Sequence, residues 1–173
     1  MNKKLTHNEL VEIGAKFLMR KYPIVLTEIS VWSMTVPIYE TPDLLGFSYN
    51  NSILVEVKIS LSDLKKDKEK IARNRKEGVG EYKYYLFPEK LYEKALQHIP
   101  EEWGIMLFNK NNRIRKRRNS KHFKISWGAE RHFLLSALRR LEIKETEIVK
   151  IIKTPTRAKR RNIYLNENNI NEK

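Results

Sequence analysis

Apolar positions change their period several times along this chain, and each change marks an element. Over residues 6–21, Leu10, Ile13, Phe17 and Leu18 recur at helical spacing and give one apolar face. Thr6 with Glu9 three residues on has the spacing of a capping box, and Pro23 ends the segment. Residues 25–34 (VLTEISVWSM) are rich in β-branched side chains and predict a strand, which Pro37 interrupts or leaves at an edge. Residues 41–49 and 53–60 predict two further strands around Asn50-Asn51, a pair that tolerates positive φ and suits a tight two-residue turn. A charged helix comes next over 62–76, with Ser60 or Ser62 as N-cap and Gly78 and Gly80 beyond its end. Residues 82–87 (YKYYLF) predict a strand, 88–99 a helix with proline in its first turn, and 103–108 (WGIMLF) a short apolar strand. Residues 109–124 are polar and very basic and predict a loop. Residues 127–141 predict an amphipathic closing helix.

This order predicts an α/β domain, a mixed β-sheet flanked by helices, with a basic C-terminal extension. The 173 residues suit one domain, over 1–153, with a basic polar tail over 154–173 that contains Lys159, Arg160 and Arg161. No apolar run approaches the roughly 20 residues that span a bilayer, so no membrane partner is expected. The start, Met1-Asn2-Lys3-Lys4-Leu5, is charged, and Glu9 and Glu12 interrupt the stretch after it, which makes a poor secretion signal. Cysteine is absent, which excludes disulfides and thiolate metal sites and fits a cytoplasmic location. Lysine and arginine number 35 against 21 acids, a net charge of +14. Such a surface draws polyanions through counterion release, and nucleic acid is the expected partner ahead of an acidic protein or anionic lipid.

One hairpin carries the candidate chemistry. With Asn50-Asn51 as a two-residue turn, Asp43 faces Lys58 and Leu45 faces Glu56. Alternation then puts Asp43, Glu56 and Lys58 on one face, and Leu44, Gly46, Val55, Val57 and Ile59 on the other. Glu56 and Lys58 interrupt a run, Ile53 to Ile59, that otherwise reads as a central strand. As an ordinary surface ion pair they would be unremarked, but charges inside a buried strand are costly without a purpose. Two adjacent carboxylates repel, and a divalent cation removes the conflict. Mg²⁺ or Mn²⁺ held by Asp43, Glu56 and the Val57 carbonyl would activate water against a phosphodiester, with Lys58 orienting that water and offsetting charge.

Pro42-Asp43 and Glu56-Val57-Lys58, in this order of elements over residues 9–108, resemble the PD-(D/E)XK nuclease superfamily. The run Glu56-Val57-Lys58-Ile59-Ser60, with Asp63, Asp67 and a Tyr-rich strand after it, is similar to the branch that holds bacterial MmcB-like DNA-repair proteins and related phage or mobile-element nucleases. The resemblance implies a restriction-endonuclease-like fold and metal-dependent hydrolysis of DNA. It implies a further site acid on the first helix, for which Glu12 is preferred over Glu9, with Glu28 as an alternative from the first strand. It also implies Ser60 and Lys68 near the scissile phosphate, and a homodimer where both strands of a duplex are cut. A catalytically silent nuclease fold that holds nucleic acid or inhibits a protein partner is the competing reading, and its mark would be a broken triad.

Arg113, Arg115, Arg117, Arg118 and Lys121 in the basic segment are the expected backbone-phosphate contacts. His122 and Phe123 could stack on a base, but core packing accounts for them as well, and so it does for Tyr82 and Tyr84. His7, His98, His122 and His132 have no metal-ligand spacing, and no phosphate-binding glycine loop occurs.

Overall fold

The computed structural model describes residues 5–29, 41–68 and 78–140. Met1–Ala137 forms one compact unit, and the sheet and the site lie within it. The elements are α1 (His7–Leu18), β1 (Ile24–Thr27), β2 (Leu44–Phe47), β3 (Ser52–Val57), α2 (Leu61–Lys68), β4 (Tyr82–Pro88), α3 (Tyr92–Ala95), β5 (Gly104–Phe108), β6 (Ile114–Arg118) and α4 (Trp127–Arg140). The six strands make one mixed sheet in chain order. β1, β2 and β3 form an antiparallel meander, β3, β4 and β5 run parallel, and β6 returns antiparallel to β5. This is the α/β architecture expected: a mixed sheet flanked by helices.

Alternation along the strands sends side chains to two cores. Leu44, Ile53, Val55, Val57, Leu86, Met106 and Phe108 pack with Leu10, Val11 and Leu18 of α1. Leu45, Phe47, Leu54, Tyr85, Phe87, Ile105 and Leu107 pack with Leu64 of α2, Ala95 of α3 and Ala129 and Phe133 of α4. Each fully buried large apolar side chain contributes about 1.5–3 kcal/mol. Thr6 caps α1 as the capping box requires: its hydroxyl accepts the Glu9 N–H at 3.2 Å, and Glu9 Oε2 accepts the Thr6 N–H at 2.9 Å. Gly14 lets α1 lie close on the sheet, since a Cβ there would stand 2.7 Å from Leu44 and 2.9 Å from Leu86.

A buried carboxylate ties α4 to the start of β3. Glu130 Oε1 accepts the Ser52 hydroxyl at 2.6 Å and the Gly80 N–H at 2.9 Å. Burial pushes its pKa above the ordinary value. Those two hydrogen bonds pull the other way, Glu81 adds to the rise, and Lys83 opposes it.

Three elements differ from expectation. The hairpin turn is not Asn50-Asn51. The ladder closes at Phe47↔Ser52, so residues 48–51 form a four-residue loop. Its cause is the Ser48 hydroxyl, which donates to the Asn51 carbonyl at 2.9 Å and accepts the Asn51 N–H at 3.1 Å. The basic segment is not all loop, because β6 lies within it. The exposed edge of the buried strand β5 needs backbone partners, and a Lys/Arg-rich edge strand supplies them while resisting further pairing. The helix expected over 88–99 is broken: α3 is a single turn between the 3-10 turns Glu89–Leu91 and Leu96–His98. This short connection returns the chain from β4 to β5 while seating Ala95 and Ile99 in the core. Residues 30–34 of the expected first strand, 69–76 of the expected second helix, the boundary at 153 and the tail 154–173 lie outside the described residues.

Candidate active site

Asp43 directly precedes β2, and Lys58 directly follows β3. The observed register pairs Leu44 with Val55, so one further step sets Asp43 beside Glu56 and Pro42 beside Val57. Asp43 does not face Lys58, as a two-residue turn would require. Pro42 has no N–H to continue the ladder. The Asp43 side chain supplies an acceptor there: Oδ2 accepts the Val57 N–H at 2.7 Å, while the Asp43 carbonyl accepts the Glu28 N–H at 3.0 Å. In a strand the N–H and C=O of one residue point to the same side, so the Val57 carbonyl is directed to this edge too.

Lys58 is the hub of the cluster. Its backbone N–H donates to the Leu86 carbonyl at 2.9 Å, which fixes the strand end. Its Nζ lies 2.9 Å from Glu56 Oε2, 3.3 Å from Asp67 Oδ1 and 3.6 Å from Asp43 Oδ2. Glu56 and Asp67 are each 1% exposed and Lys58 is 7% exposed. Asp67 comes from α2, and its Oδ2 accepts the Tyr85 hydroxyl at 2.6 Å. Tyr85 is the β4 neighbour of Glu56, so both project on the α2 face.

Three carboxylates share the Lys58 ammonium. Burial raises the Asp43 pKa and Glu56 raises it further, while Lys58, the Val57 N–H and His7 offset part of the rise. Burial works against the Lys58 ammonium, but Glu56, Asp43 and Asp67 outweigh it and hold its pKa above the ordinary lysine value.

The structure brings Asp43, Glu56, Val57 and Lys58 together. Glu12 stands apart: it is exposed on α1, off the buried stripe of Leu10, Val11, Gly14 and Leu18, and no bond or ion pair ties it to the cluster. His7 opens that stripe instead, with Nε2 3.5 Å from Asp43 Oδ1 and Nδ1 3.9 Å from Glu28 Oε1. Glu28, at φ +45°, meets the site through its backbone N–H to the Asp43 carbonyl, and its side chain lies against His7. Ser60 is drawn into capping α2, accepting the Asp63 N–H at 3.2 Å and donating to Asp63 Oδ2 at 2.6 Å. Lys68 ends α2, and its side chain lies outside those described. Arg113, Arg115, Arg117 and Lys121 are exposed along and beside β6, with Arg117 over the Tyr92 ring. Arg118 is occupied within the protein, its Nε donating to the Trp103 carbonyl at 2.8 Å and its Nη2 to the Pro100 carbonyl at 2.7 Å.

Asp67, Tyr85 and His7 join the site without a role assigned from the residue pattern, in which Asp67 enters only as part of the resemblance to the MmcB-like branch. The signal for Asp67 is its spacing: three residues after the apolar Leu64, it shares that residue's buried face.

Among the described residues no group of three or more His, Asp or Glu side chains is gathered to hold a metal ion. Mg²⁺ does not need such a cage, because it commonly uses one or two carboxylates with waters and substrate oxygens. Asp43 Oδ2 and Glu56 Oε2 already converge on one positive atom, Lys58 Nζ, and the Val57 carbonyl is directed to the same edge. All donors are oxygen, which fits a hard divalent ion.

No family model matches the chain, and no curated protein matches it. A solved structure of a protein of unknown function from Silicibacter pomeroyi is similar in fold. Its TM-score is 0.57 at 14% sequence identity, and the match covers 80% of this chain and 90% of that one. At this identity the likeness speaks to the fold alone. Among the described residues no helix is long and apolar enough to cross a membrane.

Proposed function

We propose that this protein is a divalent-metal-dependent nuclease of the PD-(D/E)XK kind that hydrolyses phosphodiester bonds in DNA. The observation that carries the reading is the convergence of Asp43 and Glu56 on the Lys58 ammonium, at the residues of the P-D…E-x-K pattern. Asp43, Glu56 and the Val57 carbonyl would hold Mg²⁺ or Mn²⁺. An ion bound there polarises the phosphodiester and makes a water acidic enough to attack at neutral pH. Lys58 lies against both carboxylates, and from there its ammonium would orient the water and offset charge building on phosphorus. Burial of the cluster strengthens each of these interactions. The 109–113 turn lies at the same end of the sheet as Lys58, and the exposed Arg113, Arg115, Lys116 and Arg117 would track the phosphate backbone from there.

Cleavage of single-stranded, duplex, flapped and branched DNA, each with Mg²⁺ or Mn²⁺, tests the proposal. Asp43→Ala and Lys58→Ala should abolish cutting by about 10³-fold or more while binding persists. No cutting of any DNA or RNA by the wild-type protein with either metal would sink it. In that case the cluster is an internal ion network in a nucleic-acid-binding fold.

A further inference from the structure

We propose that Asp67 is a positioning residue: it holds the Lys58 ammonium when Asp43 and Glu56 take up a divalent cation. The inference rests on the reading of Asp43 and Glu56 as metal ligands. Its source is a conflict inside the cluster. Lys58 Nζ lies 2.9 Å from Glu56 Oε2 and 3.6 Å from Asp43 Oδ2, so the ammonium sits against the same two oxygens that a metal ion would use. Two cations cannot both hold those oxygens at short range without strong repulsion in a site shielded from water. The ammonium must give ground, yet it cannot leave, because Lys58 is nearly buried.

Asp67 offers the other carboxylate. It comes from α2, not from the hairpin that carries Asp43 and Glu56, and its Oδ1 is already 3.3 Å from Nζ. Its second oxygen is engaged by the Tyr85 hydroxyl at 2.6 Å, which fixes the plane of the carboxylate and turns Oδ1 toward Lys58. Asp67 is itself 1% exposed, so its charge depends on a cation nearby. Tyr85 stands beside Glu56 in the next strand, which couples this support to the site through rigid sheet. Asp67 thus acts through Lys58: it keeps the ammonium close to the site while lowering its competition with the metal.

The test is Mn²⁺ uptake by the full-length protein, read from the electron paramagnetic resonance of free Mn²⁺, without substrate or turnover. Four proteins are compared: wild type, Asp67→Asn, Lys58→Met and the double variant. Asp67→Asn should weaken Mn²⁺ binding about 10- to 100-fold, the range for loss of a group that supports a metal site. Lys58→Met should bind at least as tightly as wild type, and the double variant should match Lys58→Met, because Asp67 acts on the metal site through the ammonium. Wild-type affinity in Asp67→Asn overturns the proposal. An equal loss in the Lys58→Met background also overturns it, and makes Asp67 a metal ligand instead. If neither wild type nor Lys58→Met takes up Mn²⁺, the metal reading itself fails. Should Asp67→Asn not fold by circular dichroism, Tyr85→Phe carries the test. It should lose affinity, and that loss should vanish when combined with Lys58→Met. An unchanged affinity in Tyr85→Phe refutes the proposal.

Discussion

Replacing Lys58 with methionine removes an ammonium that three carboxylates share and leaves a side chain of similar length. Unit charges about 3 Å apart attract by roughly 5 kcal/mol at an effective dielectric near 20. Lys58 Nζ has Glu56 at 2.9 Å, Asp67 at 3.3 Å and Asp43 at 3.6 Å. Much of that attraction is offset by the cost of burying the ammonium, a cost that methionine does not carry. Removing one partner of a buried ion pair costs about 3–5 kcal/mol. The pH dependence has a defined sign. The Lys58 pKa is raised in the fold, so its stabilisation is complete below the ordinary lysine range and is lost only as pH rises through the raised value. At pH 8 it is fully present. Asp43, whose pKa burial and Glu56 raise and Lys58 lowers, takes up a proton more readily in the variant, so the penalty should shrink toward pH 5. Urea unfolding with a chelator present reads this directly. With a slope of about 2 kcal/mol/M, the midpoint at pH 8 should fall by about 1.5–2.5 M. A loss below about 1 kcal/mol, or one that is equal at pH 5 and pH 8, would show that the carboxylates do not depend on the ammonium.

Three further outcomes stem from particular contacts. Burial raises the Glu130 pKa in the folded state, so the fold holds more protons and stability falls as pH rises from the ordinary carboxylate range through the raised value. Glutamine can accept the same bonds from Ser52 and Gly80, so Glu130→Gln should flatten that limb in thermal melts between pH 4 and pH 7, and an unchanged slope would refute it. Arg118→Ala should destabilise the fold by about 1–3 kcal/mol through its lost bonds to Trp103 and Pro100, and leave the salt dependence of DNA binding unchanged. Arg115→Ala should do the reverse and lower the slope of log K against log salt by about 0.9; fluorescence anisotropy across a salt series separates the two. Gly80 has φ +81°, and a Cβ there would stand 2.5 Å from Leu54 Cβ, so Gly80→Ala should cost about 2–4 kcal/mol by denaturant titration.

The elements whose apolar period is strong are legible from the residues. α1 and its Thr6–Glu9 capping box come from helical spacing and one side-chain reach. β3, β4 and β5 come from short apolar runs, which only a sheet covered on both faces can bury. β6 is not legible. Its side chains, Arg115 to Arg118, are those of a solvated loop, and it becomes a strand because the backbone edge of β5 is open. Nor is the use of Arg118 legible, because the carbonyls it satisfies, at Trp103 and Pro100, come together only when β5 leaves the preceding turn.

The candidate site tolerates a different turn from the one expected, for a reason that lies in the pleat. Asn50-Asn51 suggests a two-residue turn, but Ser48 closes a four-residue one. Both added residues, Ser48 and Tyr49, come from the β2 side, so the register moves by two and every side chain keeps its face. A single added residue would have turned Asp43 to the α1 face and broken the cluster. The shift does change the pairing. Asp43 comes to lie beside Glu56, and Lys58 reaches Asp43 by its own length instead of by facing it. That difference has a chemical consequence. Burial and the neighbouring Glu56 raise the Asp43 pKa, whereas a directly facing lysine would pull it down. The charge conflict that marks this hairpin is therefore sharper in the fold than in the sequence, and Asp67, brought to the same face by α2 and bonded to Tyr85 of β4, adds a third carboxylate to the same ammonium.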